Sequence, residues 1–157
     1  MPAPRLTSRL VFVAWISTIP ELTADGVGNT LPPDDTTWAA HGYIVVPTVV
    51  GGAPHSVMPL RRPVGQVECW ATRPGSNKPP WNKAADLAEQ VRLATYDRHN
   101  FGRPLPITVN GVVYPEAMVR GVKMLAEPRQ IWGDSADYAG WSFDLLMQWI
   151  QSGEVIQ

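Results

Sequence analysis

Three histidines, His41, His55 and His99, a single cysteine, Cys69, and a scatter of carboxylates are the side chains here that could hold a metal or activate a nucleophile. A zinc site gathers three or four such ligands, and close spacing is its sign in a sequence. The three histidines are far apart, fall in turn-rich stretches, and have no acidic residue or thiol at ligand spacing, so they read as solvated loop residues. Cys69 lies in the apolar run Val67-Glu68-Cys69-Trp70-Ala71, which predicts a buried, inert thiol. No serine occupies a Gly-x-Ser-x-Gly elbow. Gly26-Val27-Gly28 lacks the third glycine and the preceding strand of a dinucleotide site. Gly51-Gly52 follows a strand-like run, but neither a Lys-Ser/Thr pair nor a helix comes after it, and it reads as a turn. Asp34-Asp35 reads as a solvated loop and Asp134 with Asp137 as a turn held by local side-chain bonds. The sequence therefore assigns no catalytic, cofactor-binding or metal-binding residue and points away from an enzyme.

The 157 residues suit one domain, spanning residues 1–157, with one hydrophobic core. Only 17% are charged, against about 25% in an average soluble protein, which is consistent with a surface partly covered by other subunits. Seven tryptophans are the outlier. Tryptophan serves cores and also anchors interfaces, and about two or three of the seven are expected at contacts with other chains. A net charge of −1 argues against a broad basic face for nucleic acid, and Arg61-Arg62 is a local pair. A lone cysteine excludes an internal disulfide and suits a reducing compartment. The amino terminus lacks a signal pattern, and the apolar run 10–16 is too short to span a bilayer, so a cytoplasmic product is expected.

The elements that must position these residues follow from periodicity. Residues 8–19 predict a helix, with Phe12, Trp15, Ile16 and Ile19 on one face, a cap at Thr7 or Ser8, and a stop at Pro20. Leu10 and Val13 make a second side apolar, as in a helix held between two layers or between a core and a neighbour. Residues 21–42 predict a long ordered loop with one short strand around 27–31. Residues 43–50 predict a strand that Pro47 moves to a sheet edge or a bulge, with 56–60 pairing back on it. Residues 65–72 predict the next strand, whose small residues Val67, Cys69 and Ala71 would let a helix lie close.

Residues 73–80 predict an exposed polar loop, and 82–96 a helix with Ala84, Leu87, Ala88 and Val91 buried. After a loop at 97–106, Asn110-Gly111 between β-branched residues predicts a hairpin, because a type I′ turn needs two positive φ angles. Residues 118–127 predict a further strand. The alternation at 141–150 predicts a core strand with Trp141, Phe143, Leu145, Met147 and Trp149 on one face, before a frayed tail from 151 to 157. The sum is an α+β fold: a mostly antiparallel mixed sheet with two main helices packed on one face.

Read in order, Val13-Ala14-Trp15-Ile16, Val27-Gly28-Asn29-Thr30-Leu31-Pro32, Tyr43-Ile44-Val45-Val46, Val50-Gly51-Gly52, Val67-Glu68-Cys69-Trp70-Ala71, Ala84-Ala85-Asp86-Leu87-Ala88 and Tyr138-Ala139-Gly140-Trp141-Ser142-Phe143-Asp144 resemble the tail terminator proteins of long non-contractile-tailed bacteriophages, particularly those of actinobacteria. The resemblance spans roughly residues 10–150 and is one of pattern. The loops 34–41 and 73–80 depart from it as apparent insertions. It implies a small structural virion protein that forms a homohexameric ring on the head-proximal end of the tail tube. There it would end polymerisation, touch the tail tube protein, and present a docking surface to a head-closure or neck protein. It also implies assembly in the host cytoplasm, DNA passing through the lumen without specific binding, no cofactor and no membrane. A closed ring needs two different patches that fit each other on every subunit. Two other readings stay open. One is another neck component such as a head-closure (stopper) protein. The other is a small cytoplasmic enzyme or ligand-binding domain with a pocket lined by Trp70, Trp141 or Trp149.

Overall fold

The computed structural model describes residues 4–20, 22, 26–53, 55–133 and 137–152. Its elements are α1 (Ser8–Ser17), β1 (Val27–Gly28), β2 (Tyr43–Val50), β3 (Val64–Thr72), α2 (Trp81–Ala94), β4 (Pro104–Val109), β5 (Val112–Met124), β6 (Arg129–Trp132) and β7 (Tyr138–Gln151). This is the expected α+β class, with two main helices and a mixed sheet.

The sheet order is β1-β2-β3-β7-β5-β4, with β6 also paired to β7. Every pairing is antiparallel except β1 with β2. The centre is the last strand. β3 lies along one side of β7, with Val67 opposite Phe143. Just before β3 begins, the chain already runs beside β7, where Met147 N–H donates to Pro63 O and Trp149 N–H to Arg61 O, each at 3.0 Å. The other side of β7 is shared by β5, from Ala117 to Met124, and by β6.

The alternation predicted for the final strand is what the core uses. Phe143, Leu145, Met147 and Trp149 are buried, Trp141 is half-buried, and Gln148 points to solvent. On β3 the small-residue face is occupied as expected. Val67 and Cys69 pack with Phe12 of α1 and with Leu87 and Ala88 of α2, while Ala71 packs with Ala84. Gly65 shares that face, and a Cβ there would stand 2.8 Å from the Phe12 ring, so the glycine sets how closely α1 lies. The other face of the sheet holds a second cluster, in which Trp38 covers Val45 and Trp70 beside Tyr43, Ile131 and Tyr138. The long loop after β1 thus lays one tryptophan over the outer face.

Several expectations shift. Residues 56–60 do not pair back on β2, whose partners are β1 and β3. Pro59 and Pro63 break that stretch, a turn closes through His55 N–H to Leu60 O, and pairing starts only after Pro63. The strand expected at 118–127 is the second half of β5, which runs unbroken from the hairpin to Met124. Pro115 is accommodated where the β4–β5 register shifts between Leu105 and Ile107. The loop 97–106 ends early, because β4 begins at Pro104. β6 went unpredicted. α1 stops at Ser17, before Pro20, and Thr7 at its N-cap position makes no side-chain cap bond. Pro47 does fall in a bulge, between Val45 and Thr48, and Asn110 and Gly111 do take positive φ. The turn at Asp134 and the tail beyond Ser152 lie outside the described residues.

Candidate assembly surfaces

α1 has two apolar sides, as the sequence indicates. One is sealed: Val11, Phe12, Trp15 and Ile16 are buried, and the Trp15 indole donates to Asn100 O at 3.0 Å. The other, with Leu10, Val13 and Ala14, is only partly covered. α1 packs against β1 and against β4, although these stand at opposite ends of the strand order. The sheet therefore curls around the helix, and its two outer strands flank an open groove of about 430 Å³ along the exposed side of α1.

Leu10, Val13, Ala14, Val27, Ile107 and Val109 give the groove its apolar wall, and none of its lining residues is charged. Two of its polar side chains are already bonded within α1: Ser17 Oγ donates to Val13 O at 2.7 Å and Thr18 Oγ1 to Trp15 O at 2.7 Å. The remaining polar side chains of the lining are those of Asn29 and Thr108.

Among the described residues the β4–β5 hairpin extends past the end of β7. Ala117 of β5 lies opposite Gln151 of β7, Ser152 N–H donates to Glu116 O at 2.8 Å, and among the described residues 112–115 have only β4 beside them. From residue 104 to residue 115 the sequence has no charged side chain. Val109, Val112 and Val113 are exposed, Val113 to 71%. Pro104 and Pro106 guard the inner half of the β4 edge, because proline offers no N–H to a new strand. Residues 107–109 have neither proline nor charge to protect them.

The tryptophans divide by position. Trp15, Trp38, Trp70 and Trp149 are buried, Trp81 and Trp141 half-buried, and Trp132 on β6 is 76% exposed, its ring edge-to-face with Trp81 at 5.0 Å. Register separates the three suggested as a pocket. Trp141 lies opposite Cys69 on the helix side, Trp70 lies opposite Gly140 on the outer side, and Trp149 sits under the Arg61 guanidinium with its indole bonded to Ser8 Oγ at 3.0 Å. They line no common cavity among the described residues.

The chemical candidates are likewise apart. His41 Nδ1 lies 2.7 Å from Gly42 O, His55 Nδ1 accepts from Val57 N–H and Met58 N–H, and His99 bonds Asp97. The His99 backbone N–H, followed by its ring, holds the Asp97 carboxyl below its ordinary value. No three His, Cys, Asp or Glu side chains among the described residues are grouped to hold a metal. Cys69 is fully buried, and burial, reinforced by Glu68, pushes its thiol far above its ordinary value. Asp34 is a local turn cap, accepting from Thr36 N–H at 3.1 Å. The loop 73–80 is exposed along most of its length, with Gly75 at φ 80° and Ser76 Oγ accepting from Lys78 N–H. Among the described residues no helix is long and apolar enough to cross a membrane. What sequence reasoning missed is the groove, since it exists only through the curl of the sheet. The uncharged stretch 104–115 was the available signal for the hairpin's surface.

No protein-family model matches the chain, and no curated protein matches it. Among solved structures it is similar to a chain described as "Virion of native gene transfer agent (GTA) particle". The identity is 14%, the match covers 90% of this chain and 84% of that one, and the TM-score is 0.47.

Proposed function

We propose that this chain is a structural virion protein of a long-tailed bacteriophage, a single-domain tail terminator without enzymatic activity. In this reading copies close into a homohexameric ring on the head-proximal end of the tail tube, stop its growth, and offer the opposite surface to a head-closure or neck protein. Assembly takes place in the host cytoplasm, the protein ends in the virion, and DNA passes through the lumen without specific contacts. The sequence resemblance supplies the specific role. The structural observation that carries assembly is the valine-tipped hairpin of residues 104–115, uncharged and exposed at its tip. Such a surface is costly to leave in water and is suited to burial against protein.

Electron microscopy of the purified protein mixed with tail tubes is the test. A cap confined to one tube end is expected. Even decoration along the tube, or absence from purified particles, rejects the terminator role. Density on the head side of the neck, away from the tube end, moves the protein to the stopper position.

A further inference from the structure

The ladder between β5 and β7 runs one rung past the pair Ala117–Gln151, because Ser152 N–H donates to Glu116 O at 2.8 Å. The two strands are antiparallel, so each residue added after Ser152 moves one residue back along β5, towards Pro115, Tyr114, Val113 and Val112. Among the described residues that edge of β5 has no neighbour. Its backbone is nevertheless oriented for one. Val112 closes the two-residue turn against Val109, with Asn110 and Gly111 at positive φ, so its own N–H and C=O face β4. Facing alternates along a strand, and the N–H and C=O of Val113 therefore point away from β4. Pro115 donates nothing, which leaves one gap between the Glu116 rung and Val113. The five residues that follow Ser152 in the chain, Gly153-Glu154-Val155-Ile156-Gln157, contain no proline and two β-branched residues. Extended at about 3.4 Å per residue they span about 17 Å, and the four steps from Glu116 to Val112 need about 14 Å.

We propose that residues 153–157 prolong β7 along the free edge of β5 in the same copy, and so turn the two-stranded hairpin into a three-stranded end of the sheet. Continuity selects this occupant. The segment is covalently joined to the strand whose rung at Ser152 is already made, so it meets the edge at high effective concentration and without the association entropy of a separate chain. The pairing also removes an open strand edge, which is otherwise a template for aggregation. Because the new strand adds at the edge, both faces of the hairpin stay open to other chains. The use of that broader face in a virion rests on the assembly reading; the pairing itself does not.

Amide hydrogen exchange of the free protein, followed by NMR and corrected for intrinsic rates, tests the pairing at Val113. Ser152 N–H faces β5, so by alternation Glu154 N–H faces β5 and Val155 N–H faces outward. Proline at 154 therefore removes a rung, and proline at 155 removes none and is tolerated on an edge. The native chain is compared with a chain ended after Ser152, with Glu154→Pro, with Val155→Pro, and with Glu154→Ala as the control for lost charge. The Val113 amide is expected to exchange about tenfold or more slowly in the native chain, Val155→Pro and Glu154→Ala than in the shortened chain and Glu154→Pro, as for a rung that opens locally. Equal rates in the native and shortened chains, or equal effects of the two prolines, overturn the proposal. So does a native Val113 that exchanges as fast as the exposed loop residue Gly75, whatever the variants do. Protection that fades on dilution assigns the strand to a second copy and overturns pairing within one copy. Exchange is read without tail tubes, so this pairing and the tube-end cap fail independently: protection without capping removes the terminator role and keeps the pairing, while capping without protection does the reverse.

Discussion

At the scale of single residues, burial decides what the reactive groups can do. Cys69 is accessible to neither solvent nor reagent, and its raised thiol is protonated at any ordinary pH. It should resist iodoacetamide in the native protein and react at the rate of global unfolding, which mass spectrometry of samples taken along a urea titration would show. Fast modification in native buffer would contradict this placement. Phe143 is 2% exposed, opposite Val67 on β3 and in the same cluster as the helix residues Phe12 and Leu87. Phe143→Ala should cost about 3–5 kcal/mol, as truncation of a core aromatic does. Total stability is of order 5–15 kcal/mol, so the melting temperature should fall steeply or little folded protein should remain. An unchanged melt accompanied by lost assembly would move β7 to a subunit interface. Both assignments were legible in the sequence, because a period of two sorts a strand into faces whatever its neighbours are. Trp132 was not: the same residue type is 76% exposed there and buried at Trp149, and only the paired strands show which is which.

At the scale of elements, local signals worked where local chemistry decides and failed where pairing does. Asn110-Gly111 fixed the hairpin because few residue pairs adopt two positive φ angles in succession. α2 followed from its stripe, and Ala84, Leu87, Ala88 and Val91 are all buried. β6, of four residues, went unseen because its place is set by β7 and not by its own pattern. The strand expected at 56–60 does not form, because Pro59 offers no N–H for a ladder. The loop 73–80 leaves the end of β3 with its centre exposed and its turn closed by Ser76. Deleting residues 75–78 should leave a folded, cooperatively melting protein, because the side-chain bonds of Ser76 stay within the loop. It should also weaken attachment in tail-binding assays if, as proposed, the chain belongs to a phage tail and the loop meets another protein there. Loss of soluble expression would show instead that the loop supports the fold. Sequence reading found the exposure of this loop but not what it touches.

At the scale of the whole molecule, the curl of the sheet made the candidate surface, and no stretch of sequence encodes that curl by itself. β1 supplies two residues, α1 supplies one side, and β4 comes from the far end of the strand order. The α+β class could be read from element order, since each segment announces its own type. The meeting of the two outer strands around α1 could not, because it depends on twist summed over the sheet. The position of β7 has a further consequence, for synthesis. The strand that joins β3 to β5 and β6 is synthesised after all of them. Until residues 138–151 emerge, the nascent chain holds two separate strand groups, β1-β2-β3 and β4-β5, each with an unpaired inner edge and an apolar face. Such open edges are where kinetic traps and aggregation begin. A chain stalled or cut before residue 138 should therefore depend on chaperones and be cleared as misfolded product.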